Sequence, residues 1–420
     1  MKPEDLHWLD TEDGEPSPAE ETPAEPEETA EPAPSRSSSP ALRILLAALT
    51  LMAIAAVIFY VSGAYKSILG EPEPKTLAAD RDPVAFPAEG ISRVRPFGQM
   101  ALHLSSNGLQ AYDVKNNILW DQPLSMGYPQ LLVEGSYASV ADLGGNQLLL
   151  FDQKGLCQTI TTEGTILFSS LSSAGSIAVI LDSEDGNTIL VFDKNGTLLV
   201  RRVTYLEENG IPLSIAINED STAIATAYAI FTETTLRSAV TLFNLTDTAS
   251  DSIDRIAGNY TYEDTLISDL KYMGDELICI GDNRLIGIKA SGNTSEDWVE
   301  TLDHQIDGLA FGENFFAVLL GNGLIGVAGD PTNDFLMIHK DGHHITDKKL
   351  NGNRQVLASG DLLVYLDGFD YHCLNVNGTE LWNYSAENAM ELYPLGENFA
   401  LGSVGSSMQI YRVTDAKDED

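Results

Sequence analysis

Residues with chemical potential concentrate in three short stretches. "HKDGHHITD", His339 to Asp347, is the one cluster among the seven histidines, and imidazole with carboxylate is a transition-metal ligand set. His343 and His344 follow an Asp-Gly turn and sit on a hairpin tip, where adjacent strand residues point to opposite faces. The reading is a solvated turn, with adventitious metal binding as the alternative. "FDYHCLNVNGTELW", Phe369 to Trp382, sets His372 beside Cys373 with Asp370 two residues earlier. His372 and Cys373 alternate across a strand and are poorly placed to share a metal. "DSEDGN", Asp182 to Asn187, resembles a calcium loop. An EF-hand needs glycine at position six and a bidentate glutamate at twelve. Here Gly186 comes one place early, Asp193 holds position twelve, and "TILVF" between them reads as a strand. That stretch is a hairpin turn.

Other signatures give no reacting group. Cys157, Cys279 and Cys373 are too few and too far apart for a disulfide framework or a CxxC site, and read as small apolar residues in strands. No GxSxG elbow, HExxH helix or phosphate loop occurs. Carboxylates are too abundant for sequence to single out a glycosidase pair. No catalytic, cofactor-binding or metal-ligating residue is assigned, no cofactor is expected, and the binding residues are unknown at this level. Six Asn-x-Ser/Thr signals stand at Asn195, Asn244, Asn259, Asn293, Asn377 and Asn383. Asn195 and Asn377 mark the same turn in two copies of a repeat.

That repeat organises most of the chain. Short apolar strands align on Tyr112, Phe151, Phe192, Phe243, Ile288, Ile338, Leu374 and Tyr411, at intervals of 39, 41, 51, 45, 50, 36 and 37 residues. A glycine turn recurs upstream in phase, as in "PFGQMALHL" and "LASGDLLVYL", with Asp220 in the glycine place of the fourth copy. Trp120, Trp298 and Trp382 follow their markers by eight, ten and eight residues and fall in a fourth strand. Four short strands per repeat, at periods of roughly 40–50 residues, are the pattern of propeller blades. Eight markers predict an all-β, eight-bladed β-propeller over 91–415, with a seven-bladed ring as the alternative. The last copy has no room for a fourth strand, so closure needs one from Thr76–Glu89, around "PVAFP". Long connections after the second strands of repeats four and six, "YAIFTETTLRSAV" and "LLGNGLIGVAGDPTNDF", should share a face.

Ahead of the repeats lie three segments. Residues 1–40 hold twelve acids, eight prolines and two basic residues, a composition too polar to offset ordering entropy, so a disordered tail is expected. Leu6, Trp8 and Leu9 are its only apolar cluster. Within 41–65, Ile44 to Tyr65 carries no charge and at helical rise spans about 33 Å, enough for one transmembrane helix. It begins too far from the start and runs too long for a cleaved signal. Flanking Lys and Arg do not decide orientation; an N-terminus in the cytoplasm and an extracytoplasmic propeller is the arrangement adopted. A proline-bearing linker, 66–90, and a last acidic stretch, 416–420, complete the layout.

Charge excludes some partners. The net is −38, from 24 basic and 62 acidic residues, and beyond Arg43 the remainder is still −29. Too few cations remain for general nucleic-acid binding or for a polybasic contact with anionic lipid.

The strand–turn–strand units ending in tryptophan, "YDVKNNILW" and "LNVNGTELW", resemble the repeat of quinoprotein-type (PQQ-like) propellers. The whole layout resembles a family of uncharacterised membrane-anchored propeller proteins from Gram-positive bacteria. The resemblance implies that Trp120 and Trp382, and less directly Trp298, pack between blades. It does not extend to the cofactor, because the adjacent cysteine pair of quinoprotein dehydrogenases has no counterpart here. The expectation is a non-catalytic, membrane-anchored scaffold or sensor for a protein or cell-envelope component. A propeller enzyme acting on glycans or peptides through surface carboxylates is the alternative, and an inward-facing WD40-like adaptor a weaker third.

Overall fold

The structure is a computed structural model that describes residues 49–54, 74–79, 81–87, 90–184, 186–231, 235–246, 256–292, 294–321 and 334–415. The chain divides into Met1–Pro72 and Glu73–Asp420. In the first unit residues 49–54 are helical, with Leu49, Leu51, Met52 and Ile54 exposed. No helix among the described residues is long and apolar enough to cross a membrane. The rest of Ile44–Tyr65, the 1–40 tail, linker residues 66–73 and the acidic end 416–420 lie outside the described residues.

In the second unit the described residues form eight antiparallel sheets. Seven take four consecutive strands each, over 92–123, 129–161, 166–205, 211–262, 267–301, 306–348 and 354–385. These are blades 1 to 7, and each marker residue sits in the third strand of its sheet. Blade 8 has three consecutive strands, Glu391–Pro394, Phe399–Val404 and Ser407–Thr414. Its fourth is Thr76–Ala79, paired from Thr76↔Thr414 to Ala79↔Tyr411, and Val84–Ala85 continues along the same edge opposite Met408 and Ser407.

The blades take their stability from one another. Phe315-Phe316-Ala317-Val318-Leu319-Leu320, the second strand of blade 6, shows how. Phe316, Val318 and Leu320 face blade 5, while Phe315, Ala317 and Leu319 face blade 7. A strand buried on both faces reads as an unbroken apolar run instead of an alternating one. Eight apolar clusters result, one at each blade-to-blade interface. They include blade 8 against blade 1, where Tyr393, Leu401 and Ile410 meet Val94, Ala101 and Tyr112. Eight interfaces close an eight-membered ring, and the seven-bladed alternative is set aside.

First strands line the axis. Neighbours among them are joined by Ser169 Oγ donating to Gln130 Oε1 at 2.7 Å, by Ser214 Oγ donating to Asp269 Oδ1 at 3.3 Å, and by Arg95 with Glu391 at 3.4 Å. Lys271 of blade 5 reaches across to Glu134 of blade 2.

The tryptophans pack between blades. Trp120 stacks on Phe151 of blade 2 with centroids 5.5 Å apart and donates to the Gln153 carbonyl at 3.3 Å. Trp298 stacks on Phe316 of blade 6 and donates to the Lys340 carbonyl at 3.0 Å. In both cases the acceptor follows the blade's marker by two residues and lies in a turn. Trp382 is fully buried at the blade 7–8 interface, and its indole nitrogen has no hydrogen-bond partner. The equivalent of Gln153 in blade 8 is Val413, which pairs with Leu77 in the seam ladder instead of turning.

Two expectations are corrected. The left-handed position of the fourth glycine turn is Ser221, at φ +64°, not Asp220. Asp220 instead accepts hydrogen bonds from the Thr222 amide and hydroxyl. The extra residues of repeat four are not a long loop: Ala223–Phe231 and Leu236–Asn244 pair out to Phe231↔Leu236, leaving four residues between them. Apolar, β-favouring residues on both sides of the turn extend the hairpin. In repeat six, residues 322–333 lie outside the described residues.

Leu77 is 2% exposed, between Trp382 and the third strand of blade 8. Leu77→Ala should lower unfolding free energy by about 2–5 kcal/mol, measured by denaturant titration. An unchanged midpoint would mean that the closing strand carries little of the ring's stability.

Candidate functional site

Antiparallel order gives the ring two distinct faces. Turns between first and second strands, and between third and fourth, open on one face. Connections from second to third strands, and from each fourth strand to the next blade, open on the other. The closing strand starts at Thr76 beside Thr414, so the chain joins the propeller on the first of these, the joining face. The second is the distal face.

The distal face carries exposed aromatics. Among the described residues, the large aromatic side chains that stand exposed are Tyr128 (76%), Phe231 (66%), Phe369 (56%) and Tyr205 (50%). Tyr128 lies on a blade-to-blade connection, Tyr205 ends the fourth strand of blade 3 just before the connection to blade 4, and Phe231 and Phe369 stand at second-to-third turns. At blade 4, Phe231 pairs with Leu236 and Ile211 pairs with Ala229, Leu206 lies on the connection from blade 3, and Leu206, Ile211 and Leu236 are exposed. A cavity of about 250 Å³ opens on the same face at blade 1, lined by Phe86, Pro87, His103, Gln110 and Asp121. Phe86 lies flat on the His103 ring at 3.4 Å. Burial pulls that imidazole down to about 4, against a contact with Gln110, so it is neutral at pH 7.

The joining face is built from hydrogen-bonded turns. Asp113, Asp193 and Asn375, each just after its marker, accept amide bonds from residues two and four further on. In blade 6 that place belongs to His339. Asp341 Oδ1 sits 2.9 Å from His339 Nδ1 and 2.5 Å from His343 Nδ1, and the two rings stack at 4.6 Å. Against slight burial, the bonds from His339 and His343 hold the Asp341 carboxyl at about 2. His344 points the other way, with Nε2 2.6 Å from Glu300 and Nδ1 2.8 Å from Asp347. Burial lowers its affinity for a proton, but the two carboxylates outweigh this and raise it overall.

The sequence matches, over residues 86–401, a family described as "Family of unknown function (DUF5711)". The chain belongs to that family. No curated protein matches it. Among solved structures it is similar to BamB from Moraxella catarrhalis, at 13% identity and a TM-score of 0.46, covering 80% of this chain and 100% of that one. It is similar to the Pan2 WD40 domain of Neurospora crassa, at 10% identity and 0.45, covering 82% and 95%. Sqt1 of Saccharomyces cerevisiae shows 11% identity and 0.47, covering 81% and 99%. These likenesses concern architecture alone.

In this DUF5711 member the other sequence candidates lie in blade strands and turns. His372 stacks on Tyr365 at 4.8 Å and stands 3.3 Å from Glu380, while Cys373 is buried in the cluster facing blade 8. All three cysteines are free. "DSEDGN" closes a hairpin with Ser183 opposite Gly186. Asn195 and Asn377 lie in third-to-fourth turns, Asn259 and Asn383 within fourth strands, and Asn244 Oδ1 caps Thr246. Asn293 lies outside the described residues. Sequence reading missed Glu276, which begins the second strand of blade 5 and is 7% exposed. Its Oε1 is buried without a hydrogen-bond partner. Burial, and next the Asp297 charge, push the carboxyl up to about 7 against Lys289.

A carboxyl raised in the folded state holds its proton where the unfolded chain has lost it. Stability therefore falls as pH climbs from about 4.5 towards 7, and the full penalty is present above that. Glu276→Gln should raise stability on the order of 2 kcal/mol at pH 8 and hardly at all at pH 4.5. Melting curves at the two pH values check this, and equal shifts at both would contradict it.

Proposed function

We propose that this protein is a membrane-anchored, extracytoplasmic β-propeller that holds a protein or cell-envelope partner on its distal face, as a non-catalytic scaffold or sensor. The observation that carries this reading is the placement of Tyr128, Tyr205, Phe231 and Phe369 on the face opposite the one where the preceding chain joins. Exposed aromatics grouped on one face are the composition of a binding patch. The acidic frame favours a partner whose rim is basic around an apolar anchor. The anchor in this reading is the uncharged Ile44–Tyr65 segment, with residues 1–40 as a cytoplasmic tail and 66–90 as the linker. This is the layout of the Gram-positive proteins that the sequence resembles.

Two experiments test it. Protease shaving of intact cells should remove the propeller; a protected propeller would place it inside and overturn the topology. Crosslinking from membranes should capture a partner with the wild-type chain, and Phe231→Ser with Leu236→Ser should reduce capture by roughly 30-fold, the effect of losing about 2 kcal/mol at an interface hot spot. Leu198→Ser, an exposed residue on an outer strand, is the control. Equal capture by all three chains would remove the distal face from the interface.

A further inference from the structure

We propose that the third-to-fourth-strand hairpin of blade 6 is a site for a divalent transition-metal cation of the zinc class. Its protein ligands are His339 Nδ1, Asp341 Oδ1 and His343 Nδ1. The three atoms lie within 4.8 Å of one another. Both imidazoles turn the same nitrogen towards one carboxylate oxygen, at 2.9 and 2.5 Å. Zinc bonds of about 2.0–2.2 Å in a tetrahedron set ligand atoms roughly 3.3–3.5 Å apart. Asp341 is 54% exposed, free to swing outward by that small amount and let a cation in between its carboxylate and the two Nδ1 atoms. The remaining coordination positions face solvent and take water.

The hairpin is held in shape independently of any cation. The His339 amide donates to the His343 carbonyl and the Gly342 amide to the His339 carbonyl, both at 2.9 Å. The Trp298 indole donates to the Lys340 carbonyl, and Lys340 Nζ donates to Asn314 at 2.9 Å. Gly342, at φ +87°, lies against the Trp298 ring, where a Cβ would come within 2.6 Å. A ligand set held on a rigid turn loses little freedom on binding.

The repeat supplies a second argument. Position one after the marker holds Asp113, Asp152, Asp193, Asn244 and Asn375 in five blades, residues that cap the turn's amides. Blade 6 alone among the eight has histidine there; the Asp341 amide lies 3.4 Å from its Nδ1, and capping of the His343 amide passes to Asp341. A departure from the locally preferred residue, paired with a second histidine across the same turn, is the mark of a site under a different demand. Two imidazoles with one carboxylate suit zinc, nickel or copper, and not the all-oxygen preference of calcium or magnesium.

The test uses the full-length chain in mild detergent, stripped with chelator and titrated with zinc sulfate against a chromophoric competitor. Wild type should bind one equivalent that millimolar magnesium or calcium does not displace. His339→Ala and His343→Ala should each weaken binding at least about 10- to 100-fold, no less than the loss of a supporting contact costs elsewhere. His344→Ala, which removes the adjacent imidazole on the other face, should change it less than about twofold. All chains share the His7-bearing acidic tail, so zinc held there is common to every arm. Zinc should also raise the melting temperature of wild type and not of His343→Ala, whose exposed side chain makes loss of folding no explanation. The proposal is overturned if wild type shows no saturable binding, if His343→Ala binds as wild type, or if His344→Ala loses as much as His343→Ala.

Discussion

A sheet with two apolar faces cannot stand in water by itself, and this constraint governs the whole propeller. The central strands of the blades are largely apolar and buried on both sides, so each blade must be covered twice. A linear stack would leave two uncovered ends; a ring leaves none. The blade 8–1 interface, with Tyr393 and Ile410 against Ala101 and Tyr112, is therefore as necessary as any other. Its edge is completed by a strand from the opposite end of the chain. The unpartnered Trp382 indole is a local cost of that splice, because the seam replaces the turn that satisfies Trp120 and Trp298.

The same geometry separates two kinds of surface. Strand alternation commits every first-to-second and third-to-fourth turn to one face and every other connection to the opposite one. Tightly bonded turns, the His339–His343 hairpin and both Thr76 and Thr414 fall on the joining face. Exposed aromatic side chains fall on the distal face. Between them the axis is crossed by Lys271 and Glu134, whose burial pulls the ammonium down to about 8, so the channel is bridged by charge.

The fold was legible because its signal is repeated eight times. Third strands are buried on both faces, which keeps their markers, from Tyr112 to Tyr411, apolar and in phase. The closing strand was hard to read because Thr-Leu-Ala-Ala offers one large apolar residue, and "PVAFP" next to it looks more strand-like. Ser221 escaped notice because a one-residue shift in a turn leaves no trace in composition. The candidate site was legible only in part. His343 and His344 stood out as neighbours, yet the hairpin register brings His339, four residues away, onto His343 and sends His344 to Glu300. Glu276 and the Lys271–Glu134 pair depend on contacts between distant repeats, which no local pattern encodes.

The seam has a mechanical consequence. The chain ahead of the propeller reaches the ring at Lys75, whose amide donates to the Leu381 carbonyl and whose carbonyl accepts from the Asn383 amide. From there Thr76–Ala79 runs along the last strand, its ladder bonds perpendicular to the strand direction. Tension directed along that strand would load those bonds together in shear, instead of peeling them one at a time. The load is shared between blades 7 and 8. The splice that closes the ring is thus also where the preceding chain is held, by several backbone bonds on two blades.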